Sequence, residues 1–394
     1  MNPIVAFLES SRPAFLSDLA ALVNADCGTY NKAGVDAVGE WIGARCTAWG
    51  WEVRRFPQVE YGDCWLARLR GGGVGRLLLM GHLDTVYPDG TAAARPLRLE
   101  GAKIVGPGTC DMKGGLLVGM YALRALQTLG FRDFSELAFF FNSEEEAGSP
   151  VSQSLYAPVA REMDAVLVLE SARANGDIVS ARKGSGEYTI RVMGKAAHAG
   201  VEPEKGANAI LELAHQIIAL HRLNGLAPGV TVNAGVIGGG TQPNVVPGEA
   251  WVQVDVRAAD PAGAEALARA MVDLAGRTTI PRAQIEVVGG FQYQPMAKTP
   301  AVVLLVEFAR NVARDLGFEV NDAATGGASD ANAIAALGVP VLDGLGPVGG
   351  LDHSPEEYIE ADSLVPRAAL VAGLIQRTRL QRDRLTSVRS HTHM

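Results

Sequence analysis

Apolar residues recur along this chain in two rhythms. Short uninterrupted runs, GRLLLMG (75–81), ELAFFFN (136–142) and DAVLVLE (164–170), have the length of strands covered on both faces. Between them, DMKGGLLVGMYALRALQTLG (111–130) repeats apolar positions at helical spacing and stops on Gly130, a helix C-terminal signal. An amphipathic N-terminal helix, a second helix from Gly34 to Gly50, and short strands in WEVRRFP and CWLARLR precede this region. Strands alternating with helices of this size predict an α/β sheet with parallel strands.

The rhythm then changes. GEYTIRVMG alternates as a half-buried strand and is followed by a helix in GANAILELAHQIIALHRL. Strands GVTVNAGVIGG and EAWVQVDVRA, a helix in AGAEALARAMVDLAGR and a strand QIEVVGG complete the order βαββαβ, a ferredoxin-like unit. The α/β character resumes in AVVLLVEFARNVARDLG and VPVLDGLG, so this unit interrupts the first domain. The expected division is residues 1–182 for the first part of the catalytic domain, 183–294 for the insertion and 295–394 for the second part. The tail after Arg384 reads as disordered, with His391 and His393 solvated.

Composition narrows the classes. A chain of 394 residues that is 48% hydrophobic can bury a large core and usually splits into two domains. A net charge of −8 argues against nucleic acid or an anionic membrane as partner. The four cysteines form no C-x-x-C pair and read as buried thiols in a reducing compartment, Cys110 drawing notice only because it precedes Asp111. The N-terminus lacks a basic region followed by an apolar one, and no run of about 18 apolar residues occurs. These features predict a cytoplasmic protein.

The chemistry is expected where the strands end. The run LLLMG leads into His82 and Asp84, the turn before the long helix carries Asp111, FFFNS leads into Glu144, Glu145 and Glu146, AVLVLE ends at Glu170, and the loop after VPVLDGLG holds His353. In an open α/β sheet, ligands sit at the carboxyl ends of the strands, so these groups converge on one crevice. Carboxylates that close together repel and raise one another's pKa, a conflict that a divalent cation, or a pair, resolves. Histidines mixed with carboxylates suit Zn²⁺ and admit Co²⁺ or Mn²⁺. Asp84 is placed to accept a hydrogen bond from the second nitrogen of His82 and fix its tautomer.

Seven motifs, GHLDTV, GPGTCDMKGG, EEEAGS, GKAAHAG, NVVPGEAWVQVDVR, TGGASDA and LDHS, follow one another in an order that resembles the zinc metallopeptidase family of glutamate carboxypeptidase (carboxypeptidase G type), acetylornithine deacetylase and succinyl-diaminopimelate desuccinylase. The resemblance implies a dizinc-exopeptidase-like catalytic domain with an inserted ferredoxin-like lid and dimerisation domain. It implies two Zn²⁺ per subunit, with His82 and Glu170 on one, Glu146 and His353 on the other, and Asp111 bridging. Glu145 would be the general base; a slip of one residue along the three glutamates would instead make Glu144 the base and Glu145 the ligand. His198 would reach across a homodimer to stabilise the oxyanion. Asn244, Arg257 and the backbone around Gly327 would hold a substrate carboxylate.

The activity so implied is hydrolysis of the amide between an acyl or aminoacyl group and a C-terminal amino acid, on a small N-acyl amino acid or dipeptide-like substrate. A deacylase of N-acetyl or N-succinyl amino acids is the alternative within the family. A binding protein on the same fold is opposed by the intact ligand set and by Glu145. One departure bears on specificity: the segment leaving the insertion, GGFQYQPMAK, carries Phe291, Gln292 and Tyr293 but no arginine, and its cation is Lys298. That departure puts a preference for C-terminal glutamate in doubt.

Overall fold

The computed structural model describes residues 2–391, which fall into two compact units. The first unit comprises Met1–Ser180, Lys298–Ala324 and Ser329–Met394; the second comprises Ala181–Ala297 with Thr325–Ala328. The mixed α/β fold with an inserted second unit is the one the alternating rhythms predict.

In the first unit the apolar runs line up as a six-stranded sheet. Its order is Glu52–Phe56, Cys64–Arg70, Glu136–Asn142, Arg76–His82, Ala165–Val168, Val341–Leu342. Every residue of Glu136–Asn142 is buried, as expected of a strand covered on both faces. Phe139 and Phe141, two apart and therefore on one face, stack with ring centroids 4.1 Å apart. The last four strands are parallel, but Glu52–Phe56 and Cys64–Arg70 run antiparallel to their neighbours. The link from Pro57 to Asp63 is too short for the crossover that a parallel pair requires.

The Gly114–Thr128 helix packs against Pro3–Val23 and Leu364–Leu380, and the latter also packs against Pro300–Asp315. Its first turn lies so close to the end of the Ala165–Val168 strand that a Cβ on Gly115 would sit 1.9 Å from the Leu169 carbonyl oxygen. Glycine there brings the helix start and the Asp111 turn against the chain that carries Glu170.

The C-terminal expectation is corrected. Arg382–His391 is helical rather than disordered. The segment is polar and shows almost no apolar period, but Leu385 is fully buried in the first unit's core and Val388 packs against it. Arg382 adds an ion pair to Asp164 at 2.9 Å. His393 lies outside the described residues, as does the side chain of His391.

The second unit has its own core, built on a four-stranded antiparallel sheet in the order Thr231–Gly239, Glu249–Ala258, Gly184–Met193, Gln284–Tyr293. Helices Ala209–His221 and Pro261–Ala275 both pack on this sheet. Their N-termini are capped by the Asn208 and Asp260 side chains, which accept backbone N–H groups. Burial alternates residue by residue along Gly184–Met193, the signature of a sheet with one covered face. Among the described residues, no helix is long and apolar enough to cross a membrane.

The close approach at Gly115 gives a stability test. Gly115→Ala should cost about 1–3 kcal/mol through overpacking against backbone that cannot move aside. Gly72→Ala, at a site with no atom within 4 Å, should change the denaturation midpoint little. Equal midpoints for the two variants in urea would show that the contact is relaxed at no cost.

Candidate metal centre

The Arg76–His82 strand delivers His82 to the carboxyl end of the sheet with 1% of its surface exposed. Its Nε2 lies 2.9 Å from Asp111 Oδ1 and 3.6 Å from Glu170 Oε1. His353 Nε2 lies 3.1 Å from the other oxygen of Asp111, Oδ2, and 3.4 Å from Glu146 Oε2. One carboxylate therefore faces two imidazoles, and each imidazole has a second acid beside it. His82, Asp111 and Glu146 offer ligand atoms within 4.8 Å of one another.

Asp84 is fully buried and stands beside the second nitrogen of His82. His82 Nδ1 meets the Asp84 backbone oxygen at 3.0 Å, closer than the Asp84 carboxylate at 3.3 Å. The carboxylate also accepts from Thr29 Oγ1 at 2.7 Å and from the backbone N–H groups of Glu145 and Glu146, each at 3.2 Å. It thus ties the loop after His82 to the turn Glu145–Ala147 that carries two of the three glutamates. The third, Glu144, is buried and turns the other way, accepting from the backbone N–H groups of Val151 and Ser152.

Asp111 stands in the irregular turn Thr109–Lys113, where its peptide bond to Met112 is cis. That turn is held by Glu357, whose Oε1 accepts from the N–H groups of Cys110 at 2.7 Å and Asp111 at 2.9 Å. Glu357 Oε2 accepts from Gly108 N–H and from the Tyr87 hydroxyl, each at 2.8 Å. Nothing in the spacing singled out Glu357. Its signal was only a second acid four residues after His353, and its work is to satisfy backbone donors far away in the chain. The Cys110 thiol is buried, and burial pushes its pKa up, so it is not poised for reaction.

His353 is held at φ +60°, a left-handed conformation that costs a non-glycine residue about 1–3 kcal/mol. The Gly346 N–H donates to the Glu170 carbonyl at 2.8 Å, and the buried Arg367 guanidinium donates to the carbonyls of Gly344, Gly346 and Gly176. Burial lowers the Arg367 pKa to about 10, with the charge of Asp177 opposing it.

The electrostatics show what such a cluster wants. Hydrogen bonds to Asp111 and Glu146 push His353 up to about 11. Burial opposes the charged form of His82, but Asp111 and Asp84 outweigh it and its pKa is raised. Burial also works against the Asp111 carboxylate, yet His353 and His82 hold it well below the ordinary range. Glu145 exposes part of its surface, but burial of its carboxyl group pushes it well up, with Glu170, Asp330 and Glu146 adding to the push and His82 opposing it. The site is short of positive charge. Glu146 Oε1 is buried and accepts no hydrogen bond among the described residues. An acceptor-only oxygen without a donor, in a set of two imidazoles and three carboxylates, fits a pair of divalent cations.

The remaining candidates belong to the second unit. His198 is exposed in a two-residue strand, its Nδ1 accepting from Gly200 N–H at 3.2 Å. The exposed Asn244 accepts the Ala199 N–H through its backbone oxygen at 3.0 Å. Arg257 is engaged by Asp255, through Nε at 3.1 Å and Nη2 at 2.9 Å. Arg182 donates to the Gly327 carbonyl at 3.0 Å and so fixes that loop.

Comparison with known proteins places the chain among metal-dependent hydrolases. The description of peptidase family M20/M25/M40 matches residues 78–377, and the chain belongs to this family. It is 32% identical over 383 residues to carboxypeptidase G2 of Pseudomonas sp. (strain RS-16), covering 95% of this chain and 91% of the relative. It is 28% identical over 397 residues to acetylornithine deacetylase of Proteus mirabilis, covering 94% and 96%. Among solved structures, an aminopeptidase PepT from Bacillus cereus shares the fold with a TM-score of 0.77 at 24% identity, over 93% of this chain and 98% of that one.

Glu357 supplies a test of how the centre is held. Glu357→Ala leaves three backbone donors without their acceptor and should weaken metal affinity about 10–100-fold. The measurement is metal content after dialysis against graded chelator. Unchanged retention would mean that the Asp111 turn holds its shape without Glu357.

Proposed function

We propose that this chain is a zinc-dependent amidohydrolase that cuts the amide between an acyl or aminoacyl group and a C-terminal amino acid with a free carboxylate. The observation that carries the proposal is the division of the two Asp111 oxygens between His82 and His353, with the Glu145 turn tied to the same place through Asp84. A carboxypeptidase and a deacetylase among the relatives act on bonds of this kind.

His82 and Glu170 would hold one cation, His353 and Glu146 the other, and Asp111 both. The pair would supply Lewis acidity, which can bring the pKa of water from about 16 toward about 7. Glu145 takes the proton from the attacking water and returns it to the leaving amine. The register with Glu145 as base is supported by the position of Glu146 beside His353 and by the engagement of Glu144 with Val151 and Ser152. Because His198 Nδ1 accepts a hydrogen bond, its neutral imidazole carries the proton on Nε2, the form needed to donate to a carbonyl oxygen that gains charge.

We place that donation in a homodimer formed through the second unit. Thr231–Gly239 is the edge of its sheet and exposes Val236 and Ile237, while the Ala209–His221 helix exposes Ile210, Leu211 and Ile218. Exposed apolar residues along an open strand edge favour pairing with a second copy. Asn244, Arg257 and the Gly327 loop are assigned to the substrate carboxylate; Arg257 keeps Nη1 without a described partner for that purpose.

Two experiments test this reading. Removing metal with a strong chelator should abolish hydrolysis of N-acyl amino acids, and Zn²⁺, Co²⁺ or Mn²⁺ should restore it. Glu145→Gln should keep the metal but lose about 10²–10⁴-fold in rate, whereas Glu146→Gln should lose metal; exchanged phenotypes would move the register by one residue.

A further experiment concerns the leaving amino acid. Lys298 is paired with Asp322 and so brings no spare charge to the segment of Phe291 and Tyr293. Glutamate should therefore gain little over leucine or phenylalanine at the C-terminus, while Arg257→Ala should raise KM for all three. A strong selectivity for glutamate would show that another cation reads the side chain.

A further inference from the structure

The loop that leaves Asp84 lies against Gly28, Thr29, Tyr30 and Asn31, the segment leading into the Lys32–Ala48 helix, and the two line a cleft of about 510 Å³ within the first unit. Glu146, beside His353, is at one end of its lining. Tyr30, Val86, Tyr87 and Pro88 also line it, and Asp89 joins them. Backbone hydrogen bonds join its two sides, Thr29 N–H to Thr85 O at 3.1 Å and Thr85 N–H to Cys27 O at 2.9 Å. The Tyr87 hydroxyl is fixed by Glu357 and by the Ser354 carbonyl, each at 2.8 Å. The cleft is a built feature, of the size that holds a small ligand.

Two carboxylates and no lysine, arginine or histidine stand among its described lining residues, while the Arg95 guanidinium lies over the Tyr87 ring at 4.9 Å and leaves the Tyr30 side as the one open to a further cation. Glu146 is committed to the metal centre, so Asp89 is the acid left to meet a ligand. Asn31 sets the position of that carboxylate: its side-chain oxygen caps the helix by accepting Gly34 N–H at 2.9 Å, and its amide donates to Asp89 Oδ1 at 2.6 Å. Tyr30 is 79% exposed, and the nearby Tyr61 ring lies 6.0 Å away. An oriented carboxylate beside tyrosine rings attracts a cation through both charge and the ring face, and disfavours an anion.

We infer that this cleft receives the acyl side of the scissile amide and selects an aminoacyl group bearing an ammonium over a neutral or carboxylated acyl group. The inference rests on the proposed amide hydrolysis and specifies the substrate class on the side of the bond that the second unit's carboxylate-binding residues do not read.

A matched series tests it: β-alanyl, propionyl and succinyl derivatives of one C-terminal amino acid, which differ in carrying an ammonium, no charge or a carboxylate. With metal-loaded full-length protein, kcat/KM should fall in that order, by roughly fivefold at each step for a partly exposed ion pair. The ratio of β-alanyl to propionyl should shrink as salt is raised. It should collapse toward one in Asp89→Asn and fall in Tyr30→Ala, a change at an exposed side chain that leaves the core untouched. A propionyl substrate equal to or better than the β-alanyl one overturns the inference and leaves the hydrolase reading standing, as does a preference that survives Asp89→Asn. Absence of turnover on every member of the series and on other N-acyl amino acids, by protein with its full metal content, overturns both.

Discussion

Asp111 sets one carboxylate between two imidazoles, and much of the first unit serves to keep it there. A carboxylate in that position cannot be left to find its own place, because Glu145, Glu146 and Glu170 crowd the same ground and like charges push apart. Glu357 therefore pins the turn on one side through three backbone N–H groups, and the glycine at 115 lets the helix behind it close against Leu169 on the other. Asp84 ties the glutamate turn to the strand end that carries His82. The repulsion is held in check by supports that touch backbone rather than the charged oxygens, which leaves those oxygens available for cations.

Much of this was legible in the sequence because the strands announce their ends. A run such as LLLMG can be followed by His82 and Asp84 only if a buried strand delivers polar groups to one edge of a sheet, and the same reasoning located Glu145, Glu146 and Glu170. The inserted unit was equally plain, since strict alternation in GEYTIRVMG contrasts with the solid apolar runs before it. The supports were not legible. Glu357 and Thr29 act on partners remote in sequence, through backbone donors or a single hydroxyl, and such contacts leave no periodic trace. Asp84 shows the limit within a motif: its spacing from His82 suggested a partner for the imidazole, but gave no sign that the same carboxylate also ties down the turn of Glu145 and Glu146.

The C-terminal helix makes the same point from the other side. Its residues are nearly all polar, and composition alone reads it as a free tail. One leucine, Leu385, reaches the core, and helix formation follows from that anchorage rather than from propensity. The direction of the first two strands likewise depended on the shortness of the link between them, a constraint of geometry and not of pattern.

The route of the chain through the first unit has a consequence for its synthesis. The strand Ala165–Val168 is fully buried because Val341–Leu342 pairs along one side of it, yet those two segments are separated in sequence by the whole inserted unit. While the chain is being made, the second unit, with its own core, can fold as soon as it emerges. The earlier half must meanwhile wait with a bare apolar strand edge of the kind that invites wrong partners. His353 arrives later still, so it can join Asp111 and Glu146 only when almost the entire chain exists. For this fold, the interval between translating residue 168 and residue 341 is the time of greatest exposure to misassembly, and its length is set by the insertion.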